Sequence, residues 1–272
     1  MFSTFRSRVV IIGLALSATA GSFALIANAN NSWSGYHWAR TANPLALKLG
    51  NNTSGTWTSL LATVSSDWSK STVLDTTVVS GGTNGTKGRY TPKNCIPTLG
   101  RDEICNANYG PTGWLGVAQV WVYSNGHIAQ GTVKNNDYYF GNSTYQYNNE
   151  AEKLHVICQE IGHTLGLDHQ STDGSSLDTC MDYYHNINNT DALSTHPNQH
   201  DYDELGIIYS HLDSTNTAKA VASSKGNSVE VNLDDPSGWG KEIRKDSRGH
   251  SSLFERDLGG GHKVFTFVIW TQ

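Results

Sequence analysis

One run constrains this chain more than any other: Gln159-Glu160-Ile161-Gly162-His163-Thr164-Leu165-Gly166-Leu167-Asp168-His169. Leu154, Ile157, Ile161 and Leu165 recur at helical spacing, which predicts a helix over residues 150–165 that stops at Gly166. On that helix Gln159 and His163 lie one turn apart on the same face, with Glu160 three residues before His163. Once the backbone leaves the helix at Gly166, His169 can swing back to the same point from outside. Polar groups converging in this way make a metal site open on one side. Each residue alone has a plainer role, since a helical histidine is commonly a satisfied polar residue and a helical glutamate a solvated one. The joint spacing speaks for chemistry.

Arg6 and Arg8 precede an apolar stretch, residues 9–27, that ends in Ala27-Asn28-Ala29, the small-x-small pattern of a signal-peptide cleavage site. Residues 1–29 therefore read as a leader and the mature chain as secreted, to an extracellular or periplasmic space. Gly13, Ser17, Thr19, Gly21 and Ser22 dilute the stretch against the rival reading of a membrane anchor, and no later segment could span, so no stable membrane association is expected after cleavage. Without Arg6 and Arg8 the chain has 17 basic against 24 acidic residues, and its formal charge moves from -5 to -7. That balance, with no basic stripe or glycine-rich phosphate loop, argues against nucleic acid and nucleotide partners. Four cysteines, Cys95, Cys105, Cys158 and Cys180, behind a secretory leader favour two disulfides, with three pairings open.

Along the chain, alternation at Leu45, Leu47 and Leu49 predicts a strand, and Trp57, Leu60, Leu61, Val64 and Trp68 predict a helix of about four turns. Residues 72–79 return to strand. Residues 81–113 read as loop. Residues 115–123 and 127–133 flank Asn125-Gly126, a tight hairpin turn, and a last helix fits residues 200–212, with Leu205, Ile208 and Leu212 on one face. The order predicts an α+β fold. From Asp213 onward the composition turns polar and Gly-rich, with weak strand signals at Val229/Val231/Leu233, 252–258 and 264–270. Residues 213–272 read as a linker and a small β appendage or tail.

The run 159–169 resembles the metzincin signature H-E-x-x-H-x-x-G-x-x-H, with Gln159 in the place of the first histidine. Ten residues past His169, Thr179-Cys180-Met181-Asp182-Tyr183 is similar to the Met-turn of that family, and a tyrosine two residues after the methionine matches its astacin and serralysin branches. The order of elements is closer to matrixins. The resemblance covers residues 36–212 and implies a metzincin-like catalytic domain over 30–212, with a mixed, twisted sheet, a site helix, a Met-turn and a C-terminal helix. It further implies a monomeric zinc endopeptidase acting on polypeptide substrates. His163 and His169 would ligate Zn2+, Glu160 would be the general base, Met181 a packing floor, and Tyr183 a ligand or a donor to the tetrahedral intermediate. The same fold would bring Cys158, next to Gln159, against Cys180, next to Met181, leaving Cys95 to pair with Cys105.

Gln159 departs from the signature. An amide oxygen is a weak zinc donor beside imidazole, so three arrangements are open: weak ligation by Gln159, cession of its place to Tyr183 or water, or a metal-free remnant. His155 cannot substitute, because eight residues of helix put it about 12 Å from His163. The alternative to an active protease is a noncatalytic binding protein on the same fold. His37, His127, His211 and the other histidines outside the run receive no role.

Overall fold

The computed structural model describes residues 31–85, 91–221, 233 and 235–272. The leader and the Val229/Val231 strand signal lie outside the described residues. After a two-residue strand β1 (His37–Trp38), the leucine alternation forms β2 (Leu45–Asn52), in which Leu45, Leu47 and Leu49 are buried. Helix α1 (Thr56–Trp68) buries its stripe of Trp57, Leu60, Leu61, Val64 and Trp68. Strand β3 (Leu74–Ser80) lies parallel to β2, and parallel neighbours need a crossover, which α1 supplies.

Then come β4 (Asp102–Ala107), β5 (Trp114–Val122), β6 (His127–Asn136), the short α2 (Asp137–Phe140), α3 (Glu150–Thr164) and α4 (Gln199–Ile208). Strands β7 (Lys241–Lys245), β8 (Ser251–Gly259) and β9 (His262–Trp270) complete the chain. All nine strands form one mixed sheet, in the order β3-β2-β4-β6-β5-β9-β8-β7, with β1 paired to β6. Pairing is parallel from β3 to β6 and antiparallel from β6 to β7. The architecture is α+β. Gly126, at φ +87°, makes the turn between β5 and β6. Cys95–Cys105 and Cys158–Cys180 are the two disulfides, and no described cysteine is free. Among the described residues no helix is long and apolar enough to cross a membrane.

Three expectations need correction. Strand β4 lies inside the segment read as loop. Its side chains include Asp102, Glu103, Cys105 and Asn106, so nothing local marks it as a buried strand; several of its polar groups find partners on other elements. Glu103 meets Arg101 at 2.6 Å, the Asn52 amide at 2.7 Å and the Gly82 N–H at 3.0 Å. Helix α4 ends at Ile208, four residues before the expected end, because Tyr209 turns inward. Its hydroxyl donates to the Leu165 carbonyl at 2.9 Å and accepts from the Trp38 N–H at 3.3 Å, leaving Leu212 exposed.

The third correction concerns residues 213–272, whose strands are no separate appendage. Strand β9 pairs with β5 from Trp114↔Trp270 to Val122↔Lys263 and so extends the main sheet. The sequence Val-Phe-Thr-Phe-Val-Ile is apolar on both faces, which suits a strand covered on both sides. Phe265, Phe267 and Ile269 enter the main core, while Val264 and Val268 join Trp114, Val117, Leu233 and Trp239 in a second one.

Asp102 illustrates what burial does to a polar strand. The Thr164 hydroxyl donates to its Oδ2 at 2.8 Å, and its Oδ1 has no partner. Burial pushes the carboxyl up to about 8, the Thr164 hydrogen bond opposes this in part, and the Glu103 charge adds to it. A raised folded-state pKa means that the folded chain holds the proton more tightly than the unfolded one. The resulting stability is complete below the ordinary carboxylate range and is lost as pH rises through about 8. Asp102→Asn should therefore gain on the parent as pH is raised from 5 to 8.5, by a few kcal/mol. Urea unfolding of both proteins across that range checks this; parallel curves would refute it.

Candidate active site

Helix α3 starts cleanly because the Asn149 side chain accepts from the Glu152 N–H at 2.8 Å and two acids occupy its first turn. It ends where Gly166 takes φ +104°; a Cβ there would also lie 2.5 Å from the Tyr36 carbonyl oxygen, so only glycine fits. The turn that follows positions His163: its Nδ1 lies 2.9 Å from the Leu167 carbonyl. A carbonyl can only accept, so Nδ1 carries the proton and Nε2 is left bare. His169 is held by Asp168, whose Oδ1 accepts the His169 N–H at 2.7 Å and faces Nδ1 at 3.5 Å. Arg244 of β7 anchors Asp168 in turn. Burial raises Asp168, but its hydrogen bonds with His169 and Arg244 outweigh this and hold it well below the usual carboxylate range.

The two imidazoles meet edge to edge, Nε2 to Nε2, at 3.2 Å. Burial lowers both pKa values, with the neighbouring His169 adding to the effect on His163, so both rings are neutral at physiological pH. Glu160, three residues before His163 on the same helix, is fully buried. Burial raises its carboxyl well above the ordinary range; the amides of Ala118 and Ile269 oppose this, but at a geometry that completes no hydrogen bond to either oxygen. Gly116 of β5 makes room for it, since a Cβ there would lie 2.9 Å from Glu160 Oε1.

Gln159 turns its amide nitrogen to the chain after Thr179, donating to the Cys180 carbonyl at 3.1 Å and the Asp182 carbonyl at 2.5 Å. Its Oε1 is buried without a partner. The Cys158–Cys180 disulfide joins the same two segments. Met181 lies directly against α3: a Cβ on Gly162 would come within 2.3 Å of its Sδ. Tyr183 is buried, with its ring centroid 5.3 Å from that of His169 and its hydroxyl accepting from the Trp270 N–H at 2.9 Å. Burial, mainly, raises its pKa far above that of free tyrosine, so it is a neutral phenol.

The structure thus brings Glu160, His163, His169, Met181 and Tyr183 to one place, with Gln159 one turn earlier on α3. What the sequence reading missed is the cover. Strand β9 runs over this cluster: the Phe267 ring stacks on His163 at 4.1 Å and 12°, Ile269 faces Gly116 across the ladder, and Trp270 holds Tyr183. The apolar run 264–270 signals a strand, but nothing local says that it lies on β5.

No protein-family model matches the sequence, and no curated protein matches it either.

Proposed function

We propose that this chain is a secreted zinc-dependent endopeptidase of metzincin type, described here in a closed form. The observation that carries the reading is the approach of the two Nε2 atoms, of His163 and His169, to 3.2 Å. Nitrogens at that distance are bridged either by a proton, in an N–H···N hydrogen bond, or by a cation. Nitrogens bound tetrahedrally to one zinc are about 3.3 Å apart, so the separation matches that of two ligands on one ion. Gln159 Oε1, buried and unpartnered one helical turn before His163, is the candidate for a third, weaker donor.

When bound, zinc supplies Lewis-acid polarisation of a peptide carbonyl and activation of water for attack on it. The protein's own groups do the rest. Once β9 withdraws and water reaches the niche behind Gly116, Glu160 can ionise, accept a proton at a carboxylate oxygen and pass it to the leaving amine. Asp168 and Arg244 keep the His169 ring oriented. The neutral Tyr183 hydroxyl can donate to the oxygen that gains charge. A peptide taking the place of β9 on β5 would bring its backbone beside Glu160, as Ile269 now does. Access for a polypeptide substrate thus requires β9 to withdraw.

The closure favours a second reading as well, a noncatalytic binding protein whose former cleft is filled by its own chain. Zinc content and casein cleavage of the purified protein separate the two. The protease reading expects zinc bound at the α3 pair, and cleavage that a chelator abolishes and zinc restores. Metal-free protein that stays inert with added zinc, in the closed and the opened form alike, would favour the binding protein.

A further inference from the structure

A second cluster lies apart from α3, and no step described above uses it. The parallel register of β1 and β6 sets His37 directly beside His127, with ring centroids 5.0 Å apart. The chain leaving α4 adds His211, whose ring is 4.9 Å from that of His37, and Asp213. All three histidines turn Nε2 to the same carboxylate oxygen: Asp213 Oδ1 lies 3.7 Å from His37, 3.2 Å from His127 and 3.5 Å from His211. One donor atom from each of His37, His127 and Asp213 lies within 4.8 Å of the others.

We infer that His37, His127 and Asp213 form the core of a second divalent-metal site, of the zinc class, which the exposed His211 completes by turning its ring inward, and which ties the N-terminal strand, the β5–β6 hairpin and the end of α4 together. Three lines of geometry support this. Donors around a tetrahedral zinc are about 3.3 Å apart, and the three nitrogen-to-oxygen edges bracket that value. The supporting contacts are also those of a ligand set. The Gly35 carbonyl takes the Nδ1 proton of His37 at 2.8 Å, which leaves its Nε2 bare, buried and without a hydrogen-bond partner. The outer oxygen of Asp213 accepts the Arg40 N–H at 2.9 Å, and the Asp213 N–H donates to the Arg40 carbonyl at 2.7 Å, so the carboxylate is fixed before anything binds.

A three-nitrogen, one-oxygen set suits zinc, cobalt(II) or nickel(II) and not calcium or magnesium, which prefer all-oxygen shells. His127 receives the Asn125 amide N–H on Nδ1 at 3.0 Å, so without metal its Nε2 carries a proton toward Asp213, and ligation through Nε2 moves that proton to Nδ1 and turns the Asn125 amide. His211 is half exposed while the other three side chains are largely covered, so the ion enters from its side.

The test uses the full chain and two probes, zinc alone and cobalt(II) alone. His163→Ala/His169→Ala removes the α3 pair and should still bind one metal per chain by equilibrium dialysis, with the d–d absorption of tetrahedral cobalt. Adding His127→Ala should weaken that binding at least tenfold. Since the α3 variant could fail to fold, His211→Ala in the parent background serves as a second variant: an exposed side chain is lost and the fold has little reason to change, as circular dichroism would verify. It should lower the affinity for one metal at least tenfold and leave the other unchanged. Absence of any metal beyond that held by the α3 pair would overturn the site, as would full affinity after both His127→Ala and His211→Ala; in either case the cluster binds protons only.

Discussion

Glu160→Gln should lower the turnover of a casein or peptide substrate by about 100- to 10,000-fold, the range that a positioned general acid–base contributes, with little change in zinc content. The reasoning is geometric. The substitution is close to isosteric, so the fit against Gly116, where a Cβ would touch Glu160 Oε1 at 2.9 Å, should survive. The amide cannot accept the proton that the reaction must move. The side chain is fully buried and burial already favours its uncharged form, so a neutral amide of the same shape should leave the fold about as stable. Loss of turnover with an unchanged midpoint of unfolding is the expected pair of results. Retained turnover would mean that the base is elsewhere. Loss of turnover together with loss of zinc would mean that Glu160 serves the metal site and not the proton.

Phe267→Ala should have the largest effect on the closed form. The ring is fully buried, stacks on His163 at 4.1 Å and meets Trp33 at 5.3 Å. Truncating a core phenylalanine costs about 3–5 kcal/mol, here at the point where β9 covers the site. Urea unfolding should show that loss. At a temperature where the variant is still folded, cleavage per molecule should rise, because β9 is held over His163 less firmly and leaves β5 more often. Zinc should exchange faster for the same reason. A folded variant that cleaves no faster and exchanges zinc no faster than the parent would mean that β9 does not gate the site.

The parts of this architecture that were legible in the sequence are those with local signals. Helix α3 follows from Leu154, Ile157, Ile161 and Leu165 and from Gly166 at its end; the β5–β6 hairpin follows from Asn125-Gly126. The convergence of Glu160, His163 and His169 could be read from spacing because one helix and one turn set it. Strand β4 could not, since Asp102 and Glu103 are made compatible with burial by Thr164 and Asn52, which arrive from other elements, together with the adjacent Arg101. The end of α4 is decided by where the Tyr209 hydroxyl finds partners, at Leu165 and Trp38. The placement of β9 on β5 pairs Trp114 with Trp270, a choice among sheet edges that no local pattern encodes. The register that sets His37 beside His127 is hidden for the same reason. Non-local strand pairing thus decided both the cover over the site and the second histidine cluster.

The central claim is that zinc lies between His163 and His169. Anomalous scattering at the zinc absorption edge, from crystals of the zinc-loaded full chain, tests it directly. The account predicts a peak about 2.0–2.1 Å from the Nε2 atoms of both histidines, with Glu160 beside it. Density showing the two imidazoles joined by a shared proton in zinc-saturated crystals, with no peak between them, would contradict it.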